Sequence, residues 1–171
     1  RSIRDYVNAR GDLTLGLELS KQICQLSPRD AVARRRLGDQ YYQMDRLDDA
    51  VRTWNKIASL TRPRHEGWRT VAEIFLSQSG RGKPRVMREY AARAVERGLA
   101  LAPDDAGLHR IAGLLAEHRR DSVGAYTAWS RVLEGADATT GTALRAEARS
   151  RIVDNVFRLP KRQRRESLLR Q

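Results

Sequence analysis

The chain has 171 residues, 40% hydrophobic and 32% charged, with 6% aromatic, 5 prolines and a formal net charge of +12. That is enough apolar material for one core or one stacked array, which excludes a disordered chain, and the Ala-, Leu- and Arg-rich mixture is that of a helical protein. No apolar run is long enough to span a bilayer as a helix, and the lone cysteine, Cys24 in ICQL, excludes an internal disulfide and a cysteine metal cluster.

In chain order, residues 1–28 carry a helical pattern from the first residue, with Gly11 at an expected turn. That start, at Arg1, suggests a piece of a longer chain. The stretch SPRD at 27–30 stops a helix and offers an acidic N-cap to the next. Residues 37–57, LGDQYYQMDRLDDAVRTWNKI, read as helix, charged turn and helix. A further helix follows through Trp68, Val71-Ala72 and Phe75. SQSGRGKPRV then makes a turn marked by Gly80, Gly82 and Pro84. The next helix carries Ala91 and Val95, APDD at 102–105 repeats the stop-and-cap signal, and Gly113, Ala125 and Trp129 lie on the two helices after it. ADATTGTA reads as a linker. Leu144, Ala148, Ile152, Val153, Val156 and Phe157 form an apolar stripe over 143–157, expected to cap the last hairpin. From Arg145 to Gln171 there are nine basic and three acidic residues, half of the net charge.

These segments repeat at a spacing of 34 residues: Leu37-Gly38 and Tyr41 recur as Val71-Ala72 and Phe75, Arg34 as Trp68, Gly16 and Ser20 as Ala50 and Trp54, and Ala91 and Val95 as Ala125 and Trp129. The pattern resembles the tetratricopeptide repeat family. Its Leu-Gly, Tyr, Ala and aromatic slots are filled here by Leu37-Gly38, Tyr41, Ala50 and Trp54. The resemblance implies an all-α, right-handed α-solenoid of antiparallel helix hairpins. Four of them would occupy 1–137, with an insertion near 78–85. A linker and capping helix would occupy 138–157, and a basic tail or further repeat 158–171. The small residues Gly38, Ala72 and Gly113 are expected where paired helices approach most closely. Trp54 and Trp129 are expected to fill the space between hairpins.

No chemistry emerges from the motifs. His65, His109 and His118 form no HExxH pair, no nucleophile elbow or dinucleotide fingerprint is present, and GRGKP lacks the phosphate-loop spacing and follows a helix. The expectation is therefore a non-enzyme without cofactor or metal. In the family, the first helix of each hairpin lines a concave face. That register places Arg1, Arg35, Arg69 and Arg110 in one slot, then Asp5, Asp39, Glu73 and Leu114, then Asn8, Tyr42, Leu76 and Glu117. An arginine in one slot of every unit suits bidentate recognition of carboxylates. The bland alternative is a set of intrahelical ion pairs. The family's Lys/Asn carboxylate clamp is not matched: Arg1, Asp5 and Arg36 stand there.

The resulting expectation is a scaffold or adaptor of a larger chain. It would bind a peptide or acidic protein surface through Arg35, Asp39, Tyr42, Arg69, Glu73, Arg110 and Glu117. The alternative is a basic array on nucleic acid or an anionic membrane surface. Arg81, Lys83 and Arg85 of the insertion and Lys161, Arg162, Arg164 and Arg165 of the tail would then make the contacts.

Overall fold

The computed structural model describes residues 3–80, 82–135 and 141–160, with side chains from residue 11 onward. Arg1, Arg81, Lys161, Arg162, Arg164 and Arg165 therefore lie outside the described residues, as do the side chains of Asp5 and Asn8. The described residues form eight α-helices and no strands: α1 (Ile3–Leu26), α2 (Ala31–Gln43), α3 (Leu47–Leu60), α4 (Arg64–Gln78), α5 (Pro84–Leu99), α6 (Ala106–His118), α7 (Ser122–Gly135) and α8 (Thr142–Val156). Two compact units divide the chain within α4, one spanning Arg1–Val71 and the other Ala72–Gln171.

In the first unit, α1 packs on α2 and α2 on α3. Leu17, Cys24, Ala33 and Leu37 are buried together, flanked by Tyr41 and Met44. Asp30 ends the SPRD turn and caps α2, its carboxylate accepting from the backbone N–H groups of Val32 (2.8 Å) and Ala33 (3.0 Å). The turn from α2 to α3 is a left-handed step at Asp45, φ 57°. Trp54 of α3 is wholly buried. Its indole lies against Gly38 on α2, where a Cβ would collide with the ring.

The second unit repeats these devices 75 residues later. Asp105 caps α6 by accepting from Leu108 N–H at 2.8 Å. Arg120 makes the left-handed step, φ 58°, between α6 and α7. Trp129 of α7, also wholly buried, presses on Gly113, whose Cβ would stand 2.7 Å from the indole Cε2. Between α4 and α5, Phe75 stacks on Tyr90 with ring centroids 5.3 Å apart. The chain leaves α4 through Gly82, φ 121°, a conformation open mainly to glycine, and Pro84 opens α5.

Several details differ from the expectations. Gly11 makes no turn: α1 is one helix of 24 residues. No proline interrupts it, and one helical glycine costs only about 1 kcal/mol, too little to force a break. Each tryptophan lies against the glycine of its own hairpin, so the glycines make room for a ring rather than for a backbone. Trp129 additionally belongs to the core that α7 shares with α8, together with Val132, Ala148, Ile152 and Val156. On α8, Val153 and Phe157 are exposed rather than part of the packed stripe.

Candidate functional site

The residues singled out on the first helices fall into two groups. On α2, Arg35, Asp39 and Tyr42 follow one another at four- and three-residue steps, so they share one helix face. Arg35 is exposed, while Asp39 and Tyr42 are half-buried. The scaffold fixes this face from beneath. Trp54 Nε1 donates to the backbone carbonyl of Arg35 at 3.3 Å, and the Tyr42 ring leans on the Trp54 ring, centroids 5.7 Å apart at 49°. The Arg46 guanidinium lies 4.7 Å above the Tyr41 ring, so the adjacent tyrosines face different surroundings. Arg69, in the matching slot of α4, is half-buried, and Glu73, in the second unit, is exposed.

Arg110 and Glu117 have a different environment. Arg110 donates through Nε and a terminal nitrogen to the two carboxylate oxygens of Glu147 on α8, at 2.7 and 3.3 Å. Glu117 accepts from Trp129 Nε1 (2.9 Å) and Asn155 Nδ2 (3.0 Å) on one oxygen and from Arg151 (2.8 Å) on the other. Asn155 is buried. Arg151 also sits 5.9 Å from the Trp129 ring centroid. Glu117 thus joins α6, α7 and α8 through charge-assisted hydrogen bonds, each worth about 1.5–3 kcal/mol where little solvent competes.

Sequence reasoning missed Glu147, Arg151 and Asn155 because α8 was read only through its apolar stripe. A signal was present: Arg151 follows Glu117 by 34 residues, one repeat length.

Other chemistry is sparse. Arg85, on the far side of the α4–α5 turn, is exposed and bonds Glu89 one helical turn on, at 3.3 Å. Lys83 is exposed at the start of α5. His109 holds Nε2 at 2.6 Å from the Pro103 carbonyl, as Arg34 reaches the Pro28 carbonyl at 2.9 Å. Both residues tie a helix to its preceding turn. Burial pushes the Cys24 thiol above its ordinary pKa, with Arg34 opposing and Asp30 adding to the shift. Among the described residues no group of three His, Cys, Asp or Glu side chains could hold a metal ion. No helix among them is long and apolar enough to cross a membrane.

No protein-family model matches the sequence, and no curated protein matches it. Solved structures do resemble it. A thermophilic TPR protein of Thermus thermophilus, TTC0263, is 18% identical with a TM-score of 0.52, covering 89% of this chain and 77% of that one. Two structures of MamA are 16% and 17% identical, each with a TM-score of 0.49; they cover 100% and 89% of this chain and 99% and 85% of theirs. At 18% identity the likeness to TTC0263 is one of fold, and it agrees with the glycine–tryptophan hairpins and repeated caps: the chain has the all-α helical-repeat fold of tetratricopeptide repeat proteins.

Proposed function

We propose that the chain is a protein-binding module, a scaffold or adaptor without catalytic activity. Its ligand is a peptide or an acidic protein surface taken on the exposed faces of the first helices. Arg35, Asp39, Tyr42 and Arg69 make the contact. The observation that carries this reading is the Arg35–Asp39–Tyr42 face of α2, held from below by the Trp54 indole, with Arg69 in the same slot one period later. A face supported by a buried ring loses little conformational freedom on binding, which favours affinity. Arg110 and Glu117 contribute less, because α8 already engages their side chains.

The test is fluorescence anisotropy with a panel of labelled acidic peptides at physiological salt, on nuclease-treated protein. Arg35→Ala together with Arg69→Ala should weaken the best binder at least about tenfold, the loss expected for one or two carboxylate contacts, with unchanged circular dichroism. Binding that survives the double substitution would remove these residues from the site. Retention of nucleic acid alone, lost as salt rises, would replace the reading with polyanion binding.

A further inference from the structure

The apolar surface of α1 is only half covered. Leu17, Ser20 and Cys24 face α2 and are buried. Leu15, Leu19, Ile23 and Leu26 lie at helical steps on another face and are 62%, 50%, 47% and 84% exposed. Val32 of α2, 62% exposed, extends this surface across a cleft of about 280 Å³ between the two helices, also lined by Ile23 and Arg36. A contiguous exposed apolar face of this kind marks an interaction site rather than scattered surface leucines.

The repeat register says what kind of element belongs there. Leu19 and Ile23 stand 34 residues before Thr53 and Ile57, which match Ala94 and Gly98 on α5 and Ala128 and Val132 on α7. All six of those residues are buried, each on the second helix of a hairpin. Only on α1, which runs straight through Gly11 instead of folding into a hairpin, are these two positions open. The face therefore has the form of a seat for one more helix.

We infer that the seat is filled by α1 of a second copy of this chain, running antiparallel, so that the protein forms a two-fold dimer. The stripe is self-complementary in that orientation. It is bounded by opposite charges placed symmetrically: Asp12 three residues before Leu15, and Arg29 three residues after Leu26, both exposed. Antiparallel pairing about the midpoint between Ser20 and Lys21 sets Leu15 of each copy opposite Leu26 of the other. It also sets each Asp12 opposite an Arg29. Parallel pairing would place like charges together at both ends. A two-fold contact buries the same patch twice and closes on itself, as isologous interfaces do. From Leu15 to Leu26 the stripe is about 16 Å long at 1.5 Å per residue, which suits a reversible dimer rather than an obligate one. The inference is independent of the peptide-binding face on α2.

Light scattering on the intact chain, between roughly 5 and 200 µM, spans the range in which a small interface self-associates. The weight-average mass should climb from the monomer's 19.5 kDa towards twice that value. Leu19→Glu with Ile23→Glu should hold it at the monomer mass with unchanged helicity, since both side chains are exposed. The orientation is read with Asp12→Cys plus Arg29→Cys. Oxidation should link two copies, because within one copy α1 carries the chain about 21 Å from residue 12 to its end at Leu26, which keeps residue 29 in the following turn beyond disulfide reach. A monomer at every concentration, a dimer indifferent to the two glutamates, or cross-linking by Asp12→Cys alone would overturn the proposal.

Discussion

Asp45 and Arg120 occupy the same step of two hairpins, one that aspartate tolerates and arginine does not. Both have a positive φ, 57° and 58°, a conformation that costs a residue with a Cβ roughly 1 kcal/mol. Glycine is free of that cost but loses more chain entropy on folding. Arg120→Gly should therefore stabilise the protein by a few tenths to about 1 kcal/mol, read as a higher midpoint in urea. A lower midpoint would show that the arginine makes compensating contacts. Asp49 gives a residue-scale pH effect. Hydrogen bonds from Arg46, then Arg52, hold its carboxyl below the usual carboxylate range. A depressed folded pKa means the contribution is complete above the unfolded value and is lost as pH falls through the folded one. Acid denaturation of Asp49→Asn should lack that share of the pH dependence. Superimposable acid curves would deny the two arginines any role.

At the scale of the elements, two hairpins, α2–α3 and α6–α7, each rest on a glycine facing a tryptophan. Gly38→Ala and Gly113→Ala put a methyl group into the Trp54 and Trp129 indoles. Each should cost about 1–3 kcal/mol, the range for overpacking a tight core, while Gly11→Ala should be neutral or slightly stabilising because nothing lies within 4 Å of its Cβ position. Thermal melts of the three variants check this, and equal melting temperatures would contradict it. This pairing was legible in the sequence as Gly38 with Trp54 and Gly113 with Trp129 at one register, and so were the Asp30 and Asp105 caps. Its geometry was not legible, because periodicity gives the contact but not which ring fills which gap. The uninterrupted α1 was hidden too: Gly11 signals a turn locally, and only the energy of the whole helix decides otherwise. The Glu117 junction was hidden for a different reason. It depends on side chains from three helices, and no local pattern shows that Asn155 and Arg151 converge on one carboxylate. Glu117→Ala leaves the Trp129 N–H without its acceptor and takes one of two acceptors from the buried Asn155 amide, which keeps the Arg151 carbonyl, a loss of about 2–3 kcal/mol. Glu117→Gln, which keeps the size and one oxygen acceptor, should cost less, and equal losses in denaturant titrations would mean that the charge alone, not the shape or the acceptor, holds the junction.

For the molecule as a whole, the net charge of +12 favours acidic partners of any kind. In the proposed reading, Arg35 and Arg69 are what would separate a specific protein ligand from a general polyanion. The candidate site was partly legible. The ladder of Arg35, Arg69 and Arg110 came from the repeat register alone, whereas the engagement of Arg110 by Glu147 needed the structure, since the α8 contact lies outside the register that was read. The most direct measurement is a charge-swap titration at physiological salt. Arg35→Glu with Arg69→Glu should abolish binding of the best acidic peptide and restore it when that peptide's carboxylates are replaced by lysines. If the reversed protein still takes the acidic peptide, or the lysine peptide shows no recovery, these arginines do not read the ligand and the proposed binding face is wrong.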